Sequence, residues 1–301
     1  MKLTILGCHS ATPRYDAHPT SQVLEVKGNL FLIDCGEGTQ VQLRRFKVKF
    51  ARIKNIFISH LHGDHFFGLV GLISTFRLLG REEPLHVYGP KGIKEAITLQ
   101  LKLGKSWTNY DLYFHELEST TSQVIYEDDK VTVTTIPLKH RVYTNGFLFS
   151  EKPSERNLDI EAAVNYKIDQ AYFNKAKQGF DIENREGELI KNELITKDPP
   201  RPKTYAYCSD TAYYPEIIPI ISNATALYHE ATFLDEHHEL ATKTMHSTAK
   251  EAAAIAKKAN VGRLILGHYS GRYKDITLFK EQASLLFENV LLANDGKVFD
   301  L

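Results

Sequence analysis

A chain of 301 residues, 43% hydrophobic and 25% charged, has enough apolar material for a substantial core and the length of one large domain or two ordinary ones. Its 37 basic and 37 acidic residues balance, so a uniformly basic nucleic-acid-binding surface is excluded and any such contact falls to local patches. Cys8, Cys35 and Cys208 are too few and too scattered for a disulfide framework or a C-x-x-C zinc knuckle, and no stretch approaches the roughly 18 apolar residues of a membrane span.

Met1–Leu6 runs directly into strand-like sequence without a signal-peptide core, so the expected location is the cytoplasm. Short β-branched runs then alternate with helical patterns. Lys2–Leu6, Gln22–Val26 and Asn29–Asp34 read as strands, and Thr39–Phe46 as a helix. The stretch Arg44–Lys54 carries six basic residues and no acid, either a phosphate-contacting patch or a solvated face. Ile53–Ile58 is a buried strand and Gly68–Leu79 a helix; Leu85–Tyr88, Val131–Ile136 and Tyr143–Phe149 are further strands. Residues 151–203 break the pattern. They hold ten Lys/Arg and eleven Asp/Glu, are poorly periodic, and read as an inserted arm of a helix and a loop within a single domain spanning 1–301.

Beyond the insertion come a strand at Thr204–Cys208, a helix near Pro215–Ile221 and a strand at Ala226–His229. The pattern Thr248-Ala249-Lys250-Glu251 predicts a capping box opening a helix from Ala249 to Lys258. A strand at Arg263–Leu266, a helix near Ile276–Glu288 and strands at Val290–Ala293 and Lys297–Asp300 complete the chain. Two mixed halves predict two sheets packed face to face with helices outside.

Thirteen histidines are the compositional oddity. Four potential ligands fall in Ser59-His60-Leu61-His62-Gly63-Asp64-His65, directly after an apolar strand. Imidazole and carboxylate suit zinc, and four such donors from one tight loop serve two neighbouring ions more easily than one. His140, Asp210 and His268 each sit just past a strand end, where they could complete those ions.

The His-x-His-x-Asp-His pattern resembles the metallo-β-lactamase superfamily. Asp34-Cys35-Gly36-Glu37-Gly38-Thr39-Gln40, His229-Glu230-Ala231-Thr232, His246-Ser247-Thr248 and Gly267-His268-Tyr269-Ser270-Gly271-Arg272-Tyr273 resemble segments of its ribonuclease Z family, in order from Leu6 to about Asp275. The resemblance implies a four-layer αβ/βα sandwich of α/β class with a projecting arm that clamps tRNA. It implies two zinc ions per subunit, one on His60, His62 and His140, the other on Asp64, His65 and His268, with Asp210 bridging. It further implies a homodimer acting on precursor tRNA, cutting off the 3′ trailer by attack of a metal hydroxide and leaving a tRNA 3′-hydroxyl.

In that scheme Asp64 directs the nucleophile, His246 donates the leaving-group proton and Glu230 orients His246, although His246 also suits a structural place beside the helix cap. Ser209, Thr211, Ser247 and Arg272 are candidate phosphate contacts, with a structural ion pair the alternative for Arg272. Tyr143, Tyr269 and Tyr273 are candidates for base stacking or for packing. Two other functions fit the residues less well: a binuclear zinc hydrolase of small phosphodiesters or other esters, for which an arm is superfluous, and a metal-free RNA-binding module, against which the full set of seven donors speaks.

Overall fold

The computed structural model describes residues 1–301. Apolar side chains alternate along its strands, and the alternation sorts them into layers. In the strand Asn29–Cys35, Phe31 and Ile33 enter one apolar cluster while Leu30 and Leu32 enter another, because successive strand residues point to opposite faces. Leu3 and Ile5 part from Leu6 in the same way within Lys2–Gly7.

Two seven-stranded mixed sheets result. The first runs in the order Val298–Asp300, Lys2–Gly7, Ser21–Val26, Asn29–Cys35, Ile53–Phe57, Leu85–Pro90, Leu112–Leu117, antiparallel up to Asn29–Cys35 and parallel beyond it. The second runs Val290–Leu292, Leu264–Gly267, Ala226–Glu230, Thr204–Cys208, Asn145–Glu151, Val131–Pro137, Val124–Glu127; its first four strands are mutually parallel. Aromatic residues join the inner faces: Phe57 meets Phe147, and Phe31 meets Phe149, each pair with centroids 5.4 Å apart. Helices Thr39–Arg45, Leu69–Leu78 and Ile93–Leu103 cover the first sheet's outer face. Ala249–Lys258 and Thr277–Ser284 lie outside the second. This is the four-layer sandwich of the metallo-β-lactamase fold that the sequence predicts.

The predicted capping box is present: Glu251 N donates to Thr248 Oγ1 at 3.3 Å and Thr248 N donates to Glu251 Oε2 at 2.9 Å. Other elements differ from expectation. Pro215–Ile221 is a 3-10 turn followed by a single helical turn, each with a proline at its start. The helix Ile93–Leu103 and the strands Leu112–Leu117 and Val124–Glu127 are additional to the expected elements, and the helix buries Ile93, Ile97 and Leu101 at the four-residue spacing of one helical face. Both strands are sheet edges with mostly half-buried or exposed residues, so they lack the apolar signature of an inner strand.

The chain divides into two compact units, Met1–Ser150 with Lys203–Leu301, and Glu151–Pro202. The smaller unit is more organised than a helix and a loop. It has its own apolar cluster of Ala163, Ile168, Ala176, Ile182, Ile190 and Ile195. Three short α-helices and two two-stranded sheets surround it, one pairing Asn157–Leu158 with Thr196–Lys197. Many of its cations pair internally, as in Arg185–Asp169 at 2.9 Å, Lys191–Asp181 at 3.2 Å and Lys197–Asp159 at 2.7 Å. No helix of the structure is long and apolar enough to cross a membrane.

Candidate metal centre and active site

Parallel strands deliver their C-terminal ends to one edge of the sandwich. Ile53–Phe57 leads into the histidine-rich loop, Asp210 follows Thr204–Cys208, Glu230 ends Ala226–Glu230, and His268 follows Leu264–Gly267. Asp34, Asp210 and His268 all adopt the left-handed backbone conformation, with φ of 55°, 60° and 60°. Side-chain-bearing residues seldom do so, and such conformations concentrate where function demands a particular direction of the chain. Close packing fixes the histidine-rich loop from below: a Cβ on Gly36 would fall 2.4 Å from the carbonyl oxygen of Asp64.

All seven expected donors converge. The two oxygens of Asp210 face different partners. Oδ2 lies 3.5 Å from His60 Nε2 and 3.8 Å from His140 Nε2, while Oδ1 lies 3.1 Å from both His65 Nε2 and His268 Nε2. Asp64 Oδ2 lies 3.5 Å from His65 Nε2 and 3.4 Å from His268 Nε2. His62 joins His60, His140 and Asp210 in one group of donor atoms within 4.8 Å of one another; Asp64, His65 and His268 form a second. The Nε2 atoms of His60, His65 and His140 are buried without any hydrogen-bond partner. Leaving buried polar atoms unsatisfied is costly, and a cation at each group would satisfy them. The imidazole and carboxylate donors therefore fit two ions of the zinc class.

The other ring nitrogens explain how these Nε2 atoms are aimed. His65 Nδ1 donates to Asp34 Oδ2 at 2.7 Å and His140 Nδ1 to the carbonyl of Met245 at 2.9 Å. His60 Nδ1 lies 3.0 Å from Ser59 Oγ, which itself donates to Asp34 at 2.8 Å. His268 Nδ1 lies 2.8 Å from Thr232 Oγ1, which donates to Glu230 at 2.6 Å. Partners of this kind fix tautomer and orientation. Asp34 was not among the expected site residues, yet Ser59, His65 and Tyr207 all converge on it.

Charge follows the same plan. Burial disfavours a cationic His60 and lowers its pKa. Burial acts likewise on His65, but Asp210, Asp64 and Asp34 outweigh it and hold that ring well above the ordinary histidine value. Burial opposes ionisation of Asp210, yet His268, His65 and His60 keep it well below the usual carboxylate range. The cluster of buried carboxylates thus calls for positive charge, which a metal cation at the centre would supply.

Beside the centre, His246 Nδ1 sits 2.7 Å from Glu230 Oε1. Glu230 is fully buried and also accepts from the backbone N–H groups of Thr211, Thr232 and Ser247. Burial alone would lower the His246 pKa, but the Glu230 charge overcomes it and raises the value to about 9.

These groups open onto a cavity of about 900 Å³ whose walls include His62, Asp64, Asp210, His246, His268 and Arg141. The expected phosphate contacts are placed differently. Ser209, Thr211 and Ser247 are fully buried, and their hydroxyls bond to Asp210, the Ala212 carbonyl and the Thr211 carbonyl. Arg272 is exposed but is not part of the cavity wall. Tyr269 is fully buried with its hydroxyl on the Leu266 carbonyl, and Tyr143 bonds to the Ser119 carbonyl. The arginines on the wall are Arg14, which pairs with Asp16 at 3.0 Å, and the exposed Arg141. Sequence reading passed over Arg141, although its place directly after His140 is the signal that could have found it.

The chain matches the family model of the Anti-Pycsar protein Apyc1 over residues 1–290. It is 45% identical to a ribonuclease Z of Bacteroides fragilis over 300 residues, covering 100% of this chain and 99% of the relative. It is 46% identical to a ribonuclease Z of Porphyromonas gingivalis over 297 residues, covering 99% and 98%. Among solved structures, human tRNase Z, short form, superposes with a TM-score of 0.74 at 28% identity, covering 100% of this chain and 99% of that one. The chain lies within the family that the Apyc1 model describes, and its full-length identity to these relatives makes it a member of the ribonuclease Z family, endonucleases built on the metallo-β-lactamase fold.

Proposed function

We propose that this enzyme removes the 3′ trailer from precursor tRNA by hydrolysis of a phosphodiester at a two-zinc centre. The observation that carries the reading is the convergence of six donors around Asp210, with His246 beside them on the cavity wall and the buried Glu230 behind it. His60, His62 and His140 would hold one zinc, Asp64, His65 and His268 the other, and Asp210 both. When bound, two such ions lower the pKa of water and neutralise phosphate charge.

The chain's own groups do the rest. Asp64 accepts a hydrogen bond from the attacking water and fixes its direction. Arg141 binds a non-bridging phosphate oxygen. His246, held through Nδ1 by Glu230, keeps a proton at Nε2 and passes it to the 3′-oxygen as the phosphorus–oxygen bond breaks. The mature tRNA thus leaves with a 3′-hydroxyl and the trailer with a 5′-phosphate. Glu151–Pro202 acts as a tRNA-binding arm, the working form is a homodimer, and its place is the cytoplasm.

Incubating the zinc-loaded protein with end-labelled precursor tRNA tests the proposal. The expected product is a tRNA ending in a 3′-hydroxyl. Intact precursor beside rapid turnover of a small chromogenic phosphodiester would replace this reading with that of a small-diester hydrolase.

A further inference from the structure

A second set of mixed donors lies outside the seven-donor centre. Cys8 and His9 directly follow the strand Lys2–Gly7, and Asp295 lies in the turn before Val298–Asp300, the strand paired beside it. Cys8 Sγ is 3.9 Å from His9 Nδ1, and one donor atom from each of Cys8, His9 and Asp295 lies within 4.8 Å of the others. Cys8 is fully buried, His9 is 6% exposed and the Asp295 side chain 12% exposed.

The two oxygens of Asp295 are used unequally. Oδ2 accepts from His18 Nδ1 at 2.8 Å, from His18 N at 3.0 Å and from Gln42 Nε2 at 3.3 Å. Oδ1 is buried and accepts nothing. His18 thereby orients the carboxylate as a histidine partner orients a metal-binding acid.

We propose that Cys8 Sγ, His9 Nδ1 and Asp295 Oδ1 are ligands of a separate site for one borderline-soft divalent cation of the zinc class. A sulfur about 2.3 Å and a nitrogen about 2.0 Å from one tetrahedral ion stand roughly 3.5 Å apart, so the observed pair needs only a small closure. Thiolate with imidazole selects zinc-class ions over magnesium or calcium. Binding breaks the Cys8 S–H bond, forms a sulfur–metal bond and releases the proton to solvent.

His9 lies on the wall of the active-site cavity, which gives the ion a route in. The site's backbone is tied to the catalytic edge, because His268 N donates to the Cys8 carbonyl at 2.7 Å. A bound ion would therefore brace the segment His9–Pro19 against the strand end that carries His268. The site shares no ligand with the seven-donor centre.

Cobalt(II) titration of the metal-stripped, full-length protein tests this, because the seven-donor centre contains no sulfur. The expected result is about three equivalents bound, one of them bringing a near-ultraviolet thiolate-to-cobalt charge-transfer absorption. Cys8→Ser should lose that absorption and one equivalent while keeping the other two, and Asp295→Asn should weaken the same equivalent. Saturation of the unaltered chain without a thiolate band overturns the proposal, whether or not the variants fold. A band that persists in Cys8→Ser overturns it as well. The readout is independent of RNA cleavage, so the site stands or falls apart from the proposed function.

Discussion

Glu230 Oε1 and His246 Nδ1 lie 2.7 Å apart, joining a fully buried carboxylate to a histidine side chain that is 11% exposed on the cavity wall. Their roles can be separated because one faces the cavity and the other does not. His246→Ala should lower kcat for precursor tRNA by about a hundredfold to ten-thousandfold, the range of a lost general acid, with zinc content unchanged. Glu230→Gln acts through His246. An acid must be protonated, so activity falls as pH rises through its pKa. The paired carboxylate raises the His246 value to about 9. Zinc ions would lower that value, but losing the carboxylate lowers it further, so the alkaline limb of the kcat profile should move to lower pH. A limb that stays in place would remove Glu230 from the mechanism. The same pair stabilises the fold fully below the ordinary histidine value of 6.5, and that contribution is lost as pH rises through about 9.

Metal content tests the sharing of Asp210. In the Cys8→Ser background the seven-donor centre is counted alone and should hold about two zinc ions per chain. With one Asp210 oxygen toward each group, Asp210→Ala should weaken both ions, whereas His268→Ala should weaken mainly one. Elemental analysis after dialysis reads the difference. Equal losses in the two variants would contradict a bridging role.

The exposed Arg141, next in sequence to His140, lies on the cavity wall. If it binds phosphate, Arg141→Ala should lower kcat/KM for precursor tRNA by about tenfold, typical of a charge-assisted hydrogen bond. The dependence of affinity on salt should flatten by about one ion. An unchanged salt slope would leave Arg141 as a solvated surface residue.

Much of this site is legible in the sequence because it follows two simple rules: ligands cluster in one loop, and their partners sit just past strand ends. The capping box at Thr248 is legible for a similar reason, being purely local. Asp34 is not, because what matters is that a left-handed turn places its carboxylate on His65, 31 residues away. The serines and threonines mislead in the opposite sense. Ser209, Thr211 and Ser247 are adjacent to functional residues in sequence, but a hydroxyl's direction depends on backbone torsions, and theirs hold loops together. The edge strand Leu112–Leu117 escapes notice because half-exposed strands need no apolar alternation.

The arm provides the sharpest separation of chemistry from recognition. Glu151–Pro202 contains none of the seven donors and packs its own apolar cluster. Asn157 and Lys197 are directly paired across a two-stranded antiparallel ladder, so their Cα atoms lie within about 5.5 Å. A short Gly/Ser turn replacing Leu158–Thr196 can therefore close the chain without strain. Zinc binding and small-diester hydrolysis should survive the replacement. Precursor tRNA should suffer, because remote contacts that position its reacting phosphate contribute to kcat/KM. A loss of a few kcal/mol of such binding corresponds to about a hundredfold. The arm's paired cations bear on the size of the effect. Arg185, Lys191 and Lys197 already have carboxylate partners, so any contact with RNA phosphates must exchange one partner for another. Exposed pairs contribute only about 0–1 kcal/mol, so the exchange is feasible but leaves a shallow salt dependence. Cleavage of precursor tRNA at the parent rate would show that the arm is not an exosite. Loss of zinc and of both activities would show instead that Glu151–Pro202 is needed for the sandwich to fold.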